Sequence, residues 1–162
     1  MPLVEAPQAP RTRKPAPRCN ATPARPDRSL VLSVSPDRQD HAAVRRLLDA
    51  AVWQVATAES CQEALDYLTK QDVVVVLCEH SLPDGSWKRL LDQAAVLQNP
   101  PSIVVTSRLA DTHMWAEVLN LGGYDVLAKP LEQTEVRHVL ESICLERARA
   151  AAPVRVAGAN GG

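Results

Sequence analysis

The sequence predicts an α/β fold, a doubly wound parallel sheet of five strands with helices on both faces. Three observations lead there. Between residues 28 and 149, short apolar runs alternate regularly with stretches of helical periodicity. The strongest run, Val73-Val74-Val75-Val76-Leu77, shows no polar alternation, as expected of a strand covered on both faces. The chain also has no Phe, three Trp and two Tyr, so its core must be built from Val, Leu, Ile and Ala.

The elements follow in order. Ser29 to Val34 is a short apolar strand. Ser35-Pro36-Asp37 reads as a helix start with Pro at the first helical position, and Val44, Leu47, Leu48 and Ala51 follow at helical spacing. Val52 to Thr57 is the second strand. Ser60 and Glu63 make a capping-box pattern, and the helix they open carries Ala64, Leu65 and Leu68. The Val73 run is the third strand. Leu82-Pro83-Asp84-Gly85 is a turn, and Ser86 caps a helix with Leu90, Leu91, Ala94 and Leu97. Ser102 to Thr106 is the fourth strand. A helix from about Asp111 shows Met114, Val118 and Leu121 and stops at Gly122. Tyr124 to Ala128 is the fifth strand, and the last helix shows Val136, Val139, Leu140 and Ile143.

The flanks read differently. Residues 1–27 hold seven of the thirteen prolines and a basic excess, too little apolar surface to offset ordering, and are expected to be a disordered tail. Residues 150–162, rich in Ala and Gly, are expected to be a second one, leaving 28–149 as the folded domain. A net charge of -1 argues against nucleic-acid or membrane partners. No apolar run approaches the roughly 20 residues that span a bilayer, and no apolar signal core precedes the domain, so a cytoplasmic protein is expected. Cys19, Cys61, Cys78 and Cys144 form no C-x-x-C pair and show no zinc spacing, which fits reduced thiols.

In a doubly wound sheet, sites form at the carboxyl edge of the strands. The residues to consider are therefore Ser33 to Ser35, Glu79 to Ser81, Thr106, Ser107 and Lys129. Their surroundings carry a family pattern. Val74 to Gly85, with the turn at Leu82-Pro83-Asp84-Gly85, resembles the third strand and following loop of response-regulator receiver domains. Val104-Val105-Thr106-Ser107 resembles their fourth strand. Gly122-Gly123-Tyr124-Asp125-Val126-Leu127-Ala128-Lys129-Pro130 resembles their Gly-Ala-x-Asp-x-Leu-x-Lys-Pro segment. The resemblance covers about residues 28–147 and implies a flavodoxin-like strand order of 2-1-3-4-5.

The family transfers a phosphoryl group to an aspartate. An acidic pair after the first strand holds Mg²⁺, and a hydroxyl and a lysine bind the phosphoryl oxygens. By the resemblance, Thr106 and Lys129 match the retained hydroxyl and lysine. The acceptor position carries Glu79, the acidic pair is replaced by Ser33 and Val34, and the aromatic switch position carries Val126. A glutamate is one methylene too long to place the attacking oxygen, and Glu79 is the only acid left to match the metal site. The expectation is a degenerate receiver, not an enzyme, with no metal and no cofactor. It would act in two-component or phosphorelay signalling by protein contact that needs no phosphorylation. The extra reach of Glu79 would bring its carboxylate toward Lys129 and Thr106.

Two alternatives stand beside this: a phosphorylatable receiver with an unusual acceptor, and a small flavodoxin-like cofactor carrier or enzyme. The loop Ser33-Val34-Ser35 lacks the hydroxyls and Gly of a flavin-phosphate site. Ser33, Ser35, His80 and Ser81 lack a nucleophile elbow and an acid to orient the histidine. Cys78, His80 and His113 have no specific metal spacing. For partners, Trp115 and Leu119 on the fourth helix and Trp87 at the start of the third are candidate interface residues, since Trp is enriched at binding hot spots. The resemblance points to the face of the fourth helix, fifth strand and fifth helix. The partner there would be another signalling protein (a histidine kinase, regulator or output protein) or a second copy of the chain. About a dozen residues follow the last helix, too few for an output domain, so a stand-alone module is expected.

Overall fold

A computed structural model describes residues 28–151 of the chain. Its main sheet has five parallel strands: β1 (Ser29–Val34), β2 (Trp53–Ala58), β3 (Val75–Glu79), β6 (Ser102–Ser107) and β7 (Asp125–Ala128), in the order β2-β1-β3-β6-β7. Counting only these strands, that is the expected 2-1-3-4-5. A two-residue hairpin, β4 (Ser81–Leu82) with β5 (Gly85–Ser86), stands apart from it. Five helices connect the strands: α1 (Arg38–Leu47), α2 (Cys61–Lys70), α3 (Trp87–Ala94), α4 (Thr112–Leu121) and α5 (Gln133–Ala151). The expected tails, 1–27 and most of 150–162, lie outside the described residues.

The sheet buries apolar side chains on both faces, so there are two core layers. Val44 and Leu48 join Val136, Val139, Leu140 and Ile143 against Val31, Val75, Leu77 and Val104, placing α1 and α5 on one face. Ala64, Leu65, Leu68, Leu90, Ala94 and Val118 pack on Leu32, Val34, Val76 and Val105, placing α2, α3 and α4 on the other. At about 25 cal/mol per Å² of apolar surface removed from water, these layers are the main force holding the strands in register.

Local chemistry sets the helix ends. Ser60 Oγ accepts the Glu63 N–H at 3.1 Å, while the Glu63 carboxylate reaches the Glu59 N–H at 2.7 Å, one residue before the partner a capping box would use. Ser86 caps α3 through the Lys88 N–H, and Asp111 caps α4 through the Met114 N–H. Gly122, at φ 109, ends α4 in the left-handed conformation that glycine adopts without strain.

Four expectations shift. The first helix starts at Arg38, with Asp37 as its cap, because the Asp37 carboxylate accepts the Gln39 N–H; Pro36 lies outside, in a turn closed by Ser35 Oγ on the Asp37 N–H. Ala51 is not on its buried stripe, since Asp49 accepts the Ala51 N–H and turns the chain. Leu121 is 52% exposed, for the chain leaves at Gly122 before anything covers it. Trp87, expected as a candidate interface anchor, is fully buried. Capping by Ser86 makes Trp87 the first residue of α3 and sets its ring in the core with Leu82 and Leu90.

Candidate functional site

The carboxyl edge of the sheet gathers three charges from three segments. Glu79 ends β3, Lys129 follows β7, and Asp40 lies in the first turn of α1. The Lys129 ammonium contacts Asp40 Oδ2 at 2.7 Å and also meets Glu79 Oε1. Ser35 Oγ donates to the same Asp40 oxygen at 2.6 Å. The side chains of Lys129, Asp40 and Glu79 are only 11%, 16% and 19% exposed, so water screens them little.

This geometry fixes the charge states. Burial alone would raise the Asp40 carboxyl, but hydrogen bonds from Lys129 and Ser35 outweigh it and hold the carboxyl below its ordinary value. Burial alone would lower the Lys129 ammonium, but the bonds to Asp40 and Glu79 keep it above its ordinary value. One ammonium is thus shared between the Asp40 and Glu79 side chains.

The sequence-predicted residues divide around it. Thr106 sits beside Glu79 in the β3–β6 register and is buried, and its hydroxyl makes no hydrogen bond among the described residues. Lys129 is placed by its own N–H, which donates to Ser107 O at 3.0 Å. Ser33 is buried and hydrogen-bonded to His41 Nδ1 at 2.8 Å. Val34 is buried in the layer on the α2 and α3 face. Val126 is half-buried against that same layer. The His80 ring meets the hydroxyl of its neighbour Ser81 at 3.2 Å, and Cys78 is a core thiol that burial pushes up. Among the described residues no set of three His, Cys, Asp or Glu converges as metal ligands.

Asp40 and His41 were not singled out from the sequence. Glu79 is therefore not the only acid in the pocket. In a doubly wound fold each helix starts at the carboxyl edge, so an acid in the first turn of α1 was a signal available to be read. His41 Nε2 is buried without a hydrogen-bond partner, and burial holds the imidazole below its ordinary value.

Of the candidate interface residues, Trp115 and Leu119 do lie at the surface, 49% and 36% exposed, one helical turn apart. The Trp115 indole N–H donates to Asp125 Oδ1 at 3.1 Å, which holds the ring over a depression lined also by Val126, Ala128 and Glu135.

The sequence profile of the response regulator receiver domain matches residues 31–141. The chain belongs to the response regulator receiver domain family. No curated protein sequence matches it. The receiver fold is shared with solved structures of low identity. A CheY-like response regulator receiver domain protein from Methanospirillum hungatei JF-1 superposes with a TM-score of 0.69 at 18% identity, over 77% of this chain and 100% of that one. A two-component response regulator from Clostridium difficile gives 0.66 at 22% identity, over 75% and 98%. A response regulator receiver domain protein from Clostridium thermocellum gives 0.68 at 16%, over 75% and 98%. As a receiver domain, the chain is a module of two-component signalling that contacts other signalling proteins. Among the described residues no helix is long and apolar enough to cross a membrane.

Proposed function

We propose that this receiver domain signals without phosphorylation, as a cytoplasmic protein-interaction module with no catalytic step of its own. Glu79 stands at the family's phosphoacceptor position, and Ser33 and Val34 stand where its acidic pair would be. One observation carries the reading: the retained lysine, Lys129, is already neutralised by two carboxylates of its own chain. A phosphoryl group arriving here would have to displace Glu79 or Asp40 from it.

The donor set also fits Mg²⁺ poorly. Mg²⁺ gives up its water reluctantly and is held by carboxylates together with phosphate oxygens. Both carboxylates here face the ammonium, Ser33 faces His41, and the Val34 side chain is in the core. Glu79 on Lys129 copies part of the contact a phosphoryl group would make, with one negative charge against roughly two. The copy stops at the lysine: the Thr106 hydroxyl is not engaged, and Val126 supplies no aromatic ring to move. A constitutive binding surface follows, with Trp115 and Leu119 as its centre on the α4–β7–α5 face. The partner is a kinase, regulator or output protein, or a second copy of this chain.

Intact-mass measurement after treatment with a small phosphodonor and Mg²⁺ tests the first half, with no phosphoryl adduct expected. An adduct on Glu79, His80 or Ser81 would reject the proposal in favour of an unusual acceptor. Capture of partners from the native cell tests the second half. Trp115→Ala should lose the captured protein while leaving stability within about 0.5 kcal/mol, as for an exposed side chain. Capture that survives Trp115→Ala moves the interface elsewhere.

A further inference from the structure

We propose that the cavity between α1 and the loops after β6 and β7 binds a small organic oxyanion, a phosphate monoester or carboxylate carried on a compact apolar body. The cavity measures about 530 Å³, within the range of small-molecule sites. Its charge is one-sided. Arg46 of α1, Arg108 of the β6–α4 loop and Lys129 all line it. Among the described residues neither guanidinium is ion-paired or hydrogen-bonded through its side chain, although salt bridges occupy Arg38, Lys88 and Arg89 elsewhere on the surface. The only acid in the lining is Asp40, which Lys129 and Ser35 already hold and which Arg108 meets through charge alone, without a hydrogen bond. Two guanidiniums with their hydrogen-bonding forks free therefore share one concave volume.

The remaining lining supplies the other half of a ligand site. Ala42, Ala43, Pro130 and Leu131 are apolar, and small side chains at 42 and 43 open the space along α1. A planar guanidinium matches a carboxylate or phosphate through two parallel hydrogen bonds. Two such forks beside an apolar floor select an anion that brings a hydrophobic group with it. Free inorganic ions would meet only the rim, where water screens them. The cavity shares Asp40 and Lys129 with the buried cluster, and Arg46 and Arg108 are the recognition groups it adds to them.

The test is a titration of the full-length ¹⁵N-labelled chain with phenyl phosphate, benzoate and inorganic phosphate, read by amide shifts. Phenyl phosphate or benzoate should saturate with shifts centred on Ala43, Arg108 and Leu131. Whichever binds more tightly identifies the anion. Arg46→Gln and Arg108→Gln, both at exposed positions, should each weaken it about tenfold, near 1.4 kcal/mol. Arg46→Lys, which keeps the charge and loses the fork, should weaken it as well. Binding unchanged in both glutamine variants, no saturation by either organic anion, or inorganic phosphate binding as tightly as phenyl phosphate would each overturn the proposal.

Discussion

Lys129 and Arg89 each sit at a joint where carboxylates tie distant segments together, but Lys129 does so with its side chain 11% exposed and Arg89, beside Asp84, with 36%. Around Lys129, the end of β3 and the first turn of α1 are drawn to the residue after β7 by a cation nearly cut off from water. Around Arg89, Asp84 of the hairpin turn accepts the Cys61 and Gln62 N–H groups of α2 at 2.8 and 3.0 Å, while Arg89 donates to the Asp84 carbonyl at 2.8 Å. Both joints look alike as lists of contacts. They differ in what happens when one member is removed. At the open joint water replaces the lost partner. At the closed one the partners left behind are stranded charges. This is why the Lys129 cluster, and not the hairpin latch, decides what the pocket can accept.

The sharpest way to break the comparison is Lys129→Met. It leaves Glu79 and Asp40 without the ammonium that both contact, at a cost of about 3 kcal/mol, the low end for breaking a buried pair. Urea unfolding reads this directly, and adding Glu79→Gln should recover part of the loss because it removes one of the two repelling charges. A Lys129→Met protein as stable as the parent would mean that the cluster is solvated after all.

Acidification probes the buried His41 and Asp40 next. The ordinary values are 3.8 for Asp40 and 6.5 for His41, and the fold holds both groups lower. For each, the unfolded chain takes up its proton first as pH falls, so stability is present above the ordinary value and is lost as pH drops through the folded one. The urea midpoint should therefore fall in two stages, below about 6.5 and again below about 3.8. His41→Asn should remove the first stage and Asp40→Asn should shrink the second, leaving the part due to Asp84 and Glu117, whose carboxyls are also held low. Lys129 has the opposite sense: its contribution is full below 10.5 and disappears as pH rises through its raised folded value. A midpoint that stays flat on acidification in the parent would contradict the assignment of buried His41 and shared Asp40.

Asp84→Ala gives the smallest effect. Its carboxylate is held low by the two α2 N–H groups, but water can take over their hydrogen bonds. The melting temperature should drop less than for Lys129→Met. About 1 M salt should shrink the remaining difference from the parent, since exposed charges are screened at that strength. A loss equal to that of Lys129→Met would erase the distinction between the two joints.

What was legible in the sequence was what depends on neighbours along the chain or on strand ends. The caps at Ser60 and Ser86, the helix start at about Asp111 and the stop at Gly122 are local chemistry, and each is where its residue type put it. Glu79, Thr106 and Lys129 meet at one edge because a parallel sheet brings all its strand ends together. Asp40, His41 and Trp87 were missed or misplaced for a shared reason. Each sits in the first turn of a helix, where the rotation of the helix about its axis, set by packing across the sheet, decides whether a side chain faces the pocket, the core or water. A cap one residue earlier or later turns such a side chain by about 100°. The placement of Pro36 as first helical residue made that error for α1, and with it the second carboxylate of the site was overlooked.

Lys129 already has its anions in Asp40 and Glu79. Titrating the full-length protein with Mg²⁺ while following the amides of Ser33, Val34 and Glu79 tests this most directly. Shifts that stay linear and small up to about 10 mM are predicted, since binding weaker than that is worth less than about 3 kcal/mol. Saturation at submillimolar Mg²⁺, centred on those three residues, would show that the carboxylates leave the lysine for a metal and would contradict it.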